Sequence, residues 1–307
     1  MGEKQGYVHI ITAGTLFGTI PIFATVLNQL AVSALEQNFF RILISAIILI
    51  LFFLVTKTPF SIKRRDYAFF CLFGLTGIAL FFVFYVSAIL MTSVSVAVLL
   101  LYTEPLFTLI LARFILKERI SAAGFGAIIL SVLGVSVLLK AWTIPWYQLS
   151  AGHLFGLLAG LSYALYIIFG RVSVAHKKYT PATVTLWSFL FGLVWLIPLW
   201  FILSALVPLP VVSGLSLALG NEVLLLLIGF ALIATVFPYA LLEKGLGRVK
   251  SHRAGVLILF EPITAIVLGA LLLNQFIDFE ELVGAVFILI AAYLIIWQHT
   301  ARIRHSK

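Results

Sequence analysis

Apolar stretches of roughly twenty residues follow one another along almost the whole chain, separated by short polar turns. The pattern predicts ten helices, at about 8–30, 36–56, 66–88, 93–114, 120–139, 152–172, 182–205, 222–243, 252–273 and 279–298. Each stretch is long enough to cross a hydrocarbon core about 30 Å thick as a helix. Backbone groups in lipid must be satisfied within the spanning element, which helices of this length achieve. Hydrophobic residues make up 63% of the 307 residues and charged ones 10%, which excludes an ordinary soluble domain. The expected fold class is an all-α membrane protein. Few residues precede the first stretch and no small-residue cleavage site follows it, so the first helix is expected to be a retained span and not a removable signal.

The helices repeat. Ala97, Leu100, Glu104, Pro105, Leu111 and Ile120 align with Ala254, Leu257, Glu261, Pro262, Leu268 and Ile277 at a constant offset of 157 residues without a gap. A second alignment, offset by about 146, sets Gly14, Gly18 and Phe23 of the first helix against Gly160, Ala164 and Phe169 of the sixth. Small residues four apart let helix backbones approach closely, as a packed seam between halves requires. Five helices per half is an odd number, so the second copy enters the membrane in the opposite direction. The reading is ten transmembrane helices as two inverted five-helix repeats, the first over 1–140 and the second over 152–300, with a basic cytoplasmic tail at 301–307.

Charge placement supplies the topology. With the N-terminus in the cytoplasm, 18 of the 20 Lys and Arg residues fall in inner loops or tails, the exceptions being Lys140 outside and Arg41 within the second span. This segregation follows the positive-inside rule and predicts a multi-pass protein of the cytoplasmic membrane with both termini inside. The net charge of +9 is therefore read as a topology signal. No nucleic-acid partner is expected, because no arginine-aromatic single-strand surface accompanies it. The basic Lys117-Glu118-Arg119 turn aligns with Asn274-Gln275-Phe276, and the Ser93-Val94-Ser95 turn with Lys250-Ser251-His252. Charge is exchanged between copies while the apolar frame is kept, as inversion requires. Cys71 is the single cysteine, so no intrachain disulfide forms.

At these residues the chain resembles the drug/metabolite transporter superfamily, and within it the EamA branch, whose members carry two five-helix units in inverted orientation. The resemblance rests on Leu16-Phe17-Gly18-Thr19, Phe40-Arg41, Glu104-Pro105, and Lys117-Glu118-Arg119 followed by Gly126 and Gly134. It spans almost the entire chain through the order and repetition of these features. The chain departs from the pattern at Phe17, where a tryptophan is common, at Gln275, where the second unit often has glutamate, and at Ala291-Ala292, which replace a glycine. The resemblance implies a transporter working by alternating access, with a central cavity lined mainly by the third, fourth, eighth and ninth helices.

The candidate chemistry is polar groups within apolar helices. Glu104 and Glu261 each lie about ten residues from either end of a span, where a lipid-facing acid is unfavourable by about 2.5–3.5 kcal/mol. Both must face protein or water. They bind a cationic group or exchange a proton; alternatively, they complete a local network at the carbonyls near Leu101 and Ile258 that Pro105 and Pro262 leave unpaired. Arg41 anchors a carboxylate or phosphate, pairs with an acid, or snorkels outward past Glu36. Pro21, Pro198 and Pro238 interrupt further helices and are hinge or packing residues. Thr235 and Tyr239 flank Pro238 on one helix face. Tyr85, Tyr102, Tyr163, Tyr166 and Trp187 bring polar atoms into spans and line an aromatic cavity or pack a core. Trp142, Trp146 and Tyr147, between the halves, are expected interface anchors.

All six histidines lie near span ends or in loops, so no metal site is expected, and no cofactor. His-Glu-x-x-His, paired intramembrane aspartates and a Ser/His constellation are absent from the sequence, as is a phosphate-binding glycine loop. The chain is therefore not expected to be an enzyme or to use ATP. The reading is a secondary transporter that moves a small-molecule substrate outward, amino acids or related amphipathic metabolites foremost. Membrane lipids are its other partners, and a monomer suffices. The alternatives are a translocator of lipid or lipid-linked substrates and a non-transporting scaffold or sensor.

Overall fold

A computed structural model describes residues 2–144, 150–206 and 220–305. Its described residues form ten helical spans: α1 Gly2–Gln29, α2 Ala34–Thr56, α3 Arg64–Met91, α4 Val94–Phe114, α5 Ala122–Leu138, α6 Ala151–His176, α7 Pro181–Leu206, α8 Asn221–Leu246, α9 Ser251–Leu273 and α10 Phe279–His305. Nine are long and apolar enough to cross a membrane, and α5 is a shorter apolar helix. The all-α membrane fold with two repeats is thus the observed one. Trp146, Tyr147 and Lys307 lie outside the described residues, as do the side chains of His299, Arg302, Arg304 and His305.

Serines start the helices where the chain re-enters the apolar layer. Ser33 and Glu36 form a reciprocal capping box at α2, and the hydroxyls of Ser93 and Ser121 accept the Val96 and Gly124 amides at α4 and α5. Each satisfies a backbone donor that the first helical turn leaves free. Prolines start the inner segments. α4 consists of Val94–Leu101 and Glu104–Phe114, and α9 of Ser251–Ile258 and Phe260–Leu273. Pro105 and Pro262 stand in the first turn of each second segment, where a missing N–H removes no helical bond of that segment. Pro21 and Pro238 hold the same position in Ile20–Gln29 and Phe237–Leu246. Pro198, in contrast, lies inside the continuous α7.

Two kinds of deviation from ideal helix recur at matching places in the two halves. The first segments of α4 and α9 end at Leu101 and Ile258, 157 residues apart. Wide π-turns occur at Gly74–Ala79 in α3 and Leu232–Val236 in α8, and these also end 157 residues apart. Polar contacts fix the relative directions. α1 begins, α4 ends and α9 begins at one end of the bundle, where Glu3 meets Arg253 and Glu118 meets His252. α6 and α8 finish there, with the Arg171 guanidinium on the Leu246 carbonyl. α5 ends and α10 begins at the opposite end, where Lys140 pairs with Asp278. The second half therefore runs opposite to the first, with its helices packed reciprocally: α1 lies on α8 and α9, and α6 lies on α3 and α4.

One contact explains the glycines of the seam. Pro262 deprives the Ile258 carbonyl of its helical donor, and Pro105 does the same to Leu101. A Cβ at Gly14 of α1 would stand 2.7 Å from the Ile258 oxygen, and one at Gly160 of α6 would stand 3.0 Å from the Leu101 oxygen. Both freed carbonyls are thus covered by a glycine of the first helix of the other half. Gly14→Leu and Gly160→Leu are expected to destabilise the protein in detergent by about 1–3 kcal/mol or more through overpacking. Gly126→Leu, at a position with nothing within 4 Å, is the control that thermal unfolding should leave almost unchanged.

Candidate functional site

The interruption in α9 places Glu261 at the start of a helix segment and in the middle of the bundle. Tyr102, in the interruption of α4, is its hydrogen-bonding neighbour. Glu261 remains partly accessible. Arg41 of α2 faces it electrostatically, as do Tyr85 of α3 and Tyr163 of α6. Tyr239 of α8 faces both Glu261 and Arg41. A cation, an anion and four phenols from six helices therefore converge near the level of both helix breaks.

Arg41 is held in the interior and does not snorkel. Its guanidinium carbon lies 5.1 Å from the Phe82 ring centroid and 4.9 Å from that of Phe230, and the residue is 4% exposed. Flat aromatic faces stabilise a desolvated guanidinium by cation–π attraction while leaving its edge donors available. Its Nε has no hydrogen-bond partner among the described residues. Glu36, one turn away, accepts from the Ser33 amide and hydroxyl at the helix cap.

Glu104, the repeat counterpart of Glu261, is placed differently. It is 1% exposed and accepts the Thr108 hydroxyl. Its carboxyl lies against Gly255 of α9, where a Cβ would stand 3.0 Å from Oε1. The counterpart of Gly255 under the 157-residue offset is Val98. Thus the same Glu-Pro pair yields one acid packed between helices and one facing the centre. Thr235 is buried in the π-turn and donates its hydroxyl to the Phe230 carbonyl at 3.2 Å. Tyr166 is fully buried, with its ring 5.0 Å from those of Phe73 and Tyr239. Trp187 donates to the Phe60 carbonyl near the chain's basic end.

Comparison with known proteins matches this architecture. The EamA-like transporter family model matches residues 4–140 and 150–297. The chain belongs to the EamA-like transporter family. Among its relatives is an uncharacterised transporter of Archaeoglobus fulgidus, 28% identical over 302 residues and covering 96% of this chain and 97% of its own length. A probable amino-acid metabolite efflux pump of Salmonella typhimurium is 28% identical over 215 residues, covering 67% of this chain and 70% of its own. An uncharacterised inner membrane transporter of the same organism is 24% identical over 299 residues, 95% of each chain. A crystal structure of a protein 16% identical has the same fold, with a TM-score of 0.74 over 94% of this chain and 97% of that one.

At the basic end the EamA halves are latched by buried polar contacts. Glu118 accepts the Ser251 amide at 2.9 Å and meets His252 Nδ1 at 2.6 Å. Arg253 donates to Glu3 at 2.6 Å and to the Tyr7 hydroxyl at 2.8 Å. The Lys117-Glu118-Arg119 turn, legible in the sequence as a topology signal, is therefore also a clasp on α9. His252 and Arg253 gave no sequence signal beyond their charge. The cation–π partners Phe82 and Phe230 were indistinguishable in sequence from the many other phenylalanines.

Burial raises the Glu118 carboxyl, but the His252 hydrogen bond, the Ser251 amide and the Arg171 charge together hold it below its ordinary value. A carboxyl more acidic in the folded state stabilises fully above the ordinary glutamate value and loses that contribution as pH falls through the lower, folded value. Glu118→Gln is expected to remove about 1–3 kcal/mol at pH 7 by leaving buried groups unmatched. Thermal unfolding across pH should show the difference from the unmodified protein shrinking below the glutamate range.

Proposed function

We propose that this protein is a secondary transporter that carries amphipathic zwitterions, amino acids and their relatives, out of the cell by alternating access. The observation that carries the reading is the pairing of an interior Arg41 with a partly accessible Glu261 inside a ring of phenols. A free amino acid offers an anion and a cation a few ångströms apart on an apolar body. Arg41 takes the carboxylate, for which its planar donor fork is suited. Glu261 takes the ammonium group. Tyr85, Tyr163 and Tyr239 supply apolar faces together with hydroxyls that fix orientation. The amino-acid metabolite efflux pump among the relatives supports this substrate class.

In the proposed cycle the repeats 1–140 and 152–300 rock about the midplane site. The excess of Lys and Arg at the end holding the N-terminus supports placing that end, and both termini, in the cytoplasm. Glu104, locked between α4 and α9, serves the helix interruption and does not contact substrate. Binding energy resides in the two charges: each matched buried pair contributes several kcal/mol only while both partners are present.

Proteoliposomes loaded with individual radiolabelled amino acids test the reading. The unmodified protein is expected to release a subset faster than protein-free vesicles. Glu261→Gln should weaken release of the free amino acid far more than of its N-acetyl derivative, and Arg41→Lys should do so more for the free acid than for its methyl ester. Equal loss for every derivative, or no loss, would overturn the assignment of these roles. Release only of acyl-bearing solutes would replace it with lipid translocation.

A further inference from the structure

Glu243 of α8 is the buried acid that the central site does not use. The residue is 0% exposed, and neither carboxyl oxygen has a hydrogen-bond partner among the described residues. It is accommodated by Gly170 of α6, where a Cβ would stand 2.5 Å from Oε1 and 2.7 Å from Oε2. Among the described residues no cation pairs with it. Of the elements packed on this part of α8, α6 presents Tyr166, whose hydroxyl faces the carboxyl, and Arg171, which donates to the Leu246 carbonyl. α1 presents Tyr7, bonded to Glu3, and His9, which senses the charges of Lys244 and Arg248. α9 presents Arg253, bonded to Glu3 and Tyr7. α7 contributes Ser188 beside Tyr166, and α6 ends in His176. Tyr239, on α8 itself, faces the acid from the central side.

We propose that Glu243 is a proton-binding site that couples transport to the proton gradient, separate from the substrate site and joined to it through Tyr166 and Tyr239. A carboxylate removed from water without a counter-charge, with only the Tyr166 hydroxyl facing it, is strongly unfavourable, and a bound proton removes that charge. The position suits release as well. Gly170 and Glu243 lie next to Arg171 and Leu246, whose contact closes the basic end between α6 and α8. Separation of these helices admits water to the carboxyl. Its O–H bond then breaks, the proton passes to water, and the carboxylate left behind accepts the Tyr166 hydroxyl. When the basic end closes, the carboxylate takes a proton from water on the central side, restoring the acid. Tyr166 packs on Tyr239, and Tyr239 faces Arg41 and Glu261, so the proton and substrate sites share one aromatic wall. The cycle exchanges an entering proton for a departing solute; it rests on the transport reading above and on the basic end facing the cytoplasm.

Two measurements on the full-length protein test this. Infrared difference spectroscopy of Glu104→Gln/Glu261→Gln protein at pH 7 should show a protonated-carboxyl band that disappears when Glu243→Gln is added. Absence of the band, or its persistence in the triple variant, would overturn the proposal whether or not any solute is transported. In proteoliposomes, with L-phenylalanine as the probe, Glu243→Gln should retain solute-for-solute counterflow while gradient-driven accumulation falls to the level of protein-free vesicles. Glu243→Asp, which keeps the acid, should retain both and shows that loss in the glutamine variant is not misfolding. Gradient-driven accumulation by Glu243→Gln would overturn the proposal. Absence of L-phenylalanine movement by the unmodified protein would count against that substrate alone, leaving the infrared band to decide the proton site.

Discussion

The architecture depends on satisfying backbone groups where no water is available. A proline in the middle of a span frees a carbonyl, and in lipid an unsatisfied carbonyl is unfavourable by several kcal/mol. Both central helices break in this way, so each break must be buried against protein. The first helix of the opposite half supplies the cover, with Gly14 over the Ile258 oxygen and Gly160 over the Leu101 oxygen. The halves therefore cannot be built independently at the seam: each completes the other's interrupted helix. The site follows, because a break that must be covered by protein is also the place where polar side chains can be held in the membrane.

The scaffold is duplicated, whereas the chemistry is not. Matching helix breaks and π-turns recur at one offset, yet Tyr102 corresponds to Leu259, Val98 to Gly255 and Phe82 to Tyr239. Glu104 and Glu261 show the result. With no side chain at 255, Glu104 packs away against α9, whereas Glu261 faces the centre. Divergence at a few positions gives the two halves unlike linings at the centre while preserving the geometry that both halves need.

The fold was legible in the sequence because its signals are long and redundant. Twenty-residue apolar runs, a gap-free 157-residue offset and the confinement of Lys and Arg to alternate loops each point to the same ten helices and the same inversion. The site was legible only in part. Arg41, Glu104 and Glu261 stood out as charges in apolar runs, but the packing of Glu104 depends on Gly255 of a neighbouring helix, which no local pattern marks. Glu243 was hidden for another reason. It lies at the end of α8 beside Lys244, where an acid reads as part of a polar loop, and only the approach of α6 at Gly170 shows it to be wholly buried. Long-range packing decides such cases, and periodicity along one helix carries no information about it.

The distribution of contacts also separates fixed from movable parts. α5 and α10, the last helices of the two halves, pack along an extensive interface and cross where Gly134 and Gly284 bring their backbones together. Their interface is apolar along most of its length, with Lys140 and Asp278 joined at one end. Opening such a seam would expose close-packed backbone to lipid with no compensating interaction. The basic end is different. Glu118, His252, Arg253, Glu3 and Arg171 hold it through hydrogen bonds and ion pairs, which water can replace group by group as the end opens. For the proposed rocking cycle, the packed apolar crossing of α5 and α10 keeps the halves registered, and the exchangeable polar latches near one mouth set the barrier to opening.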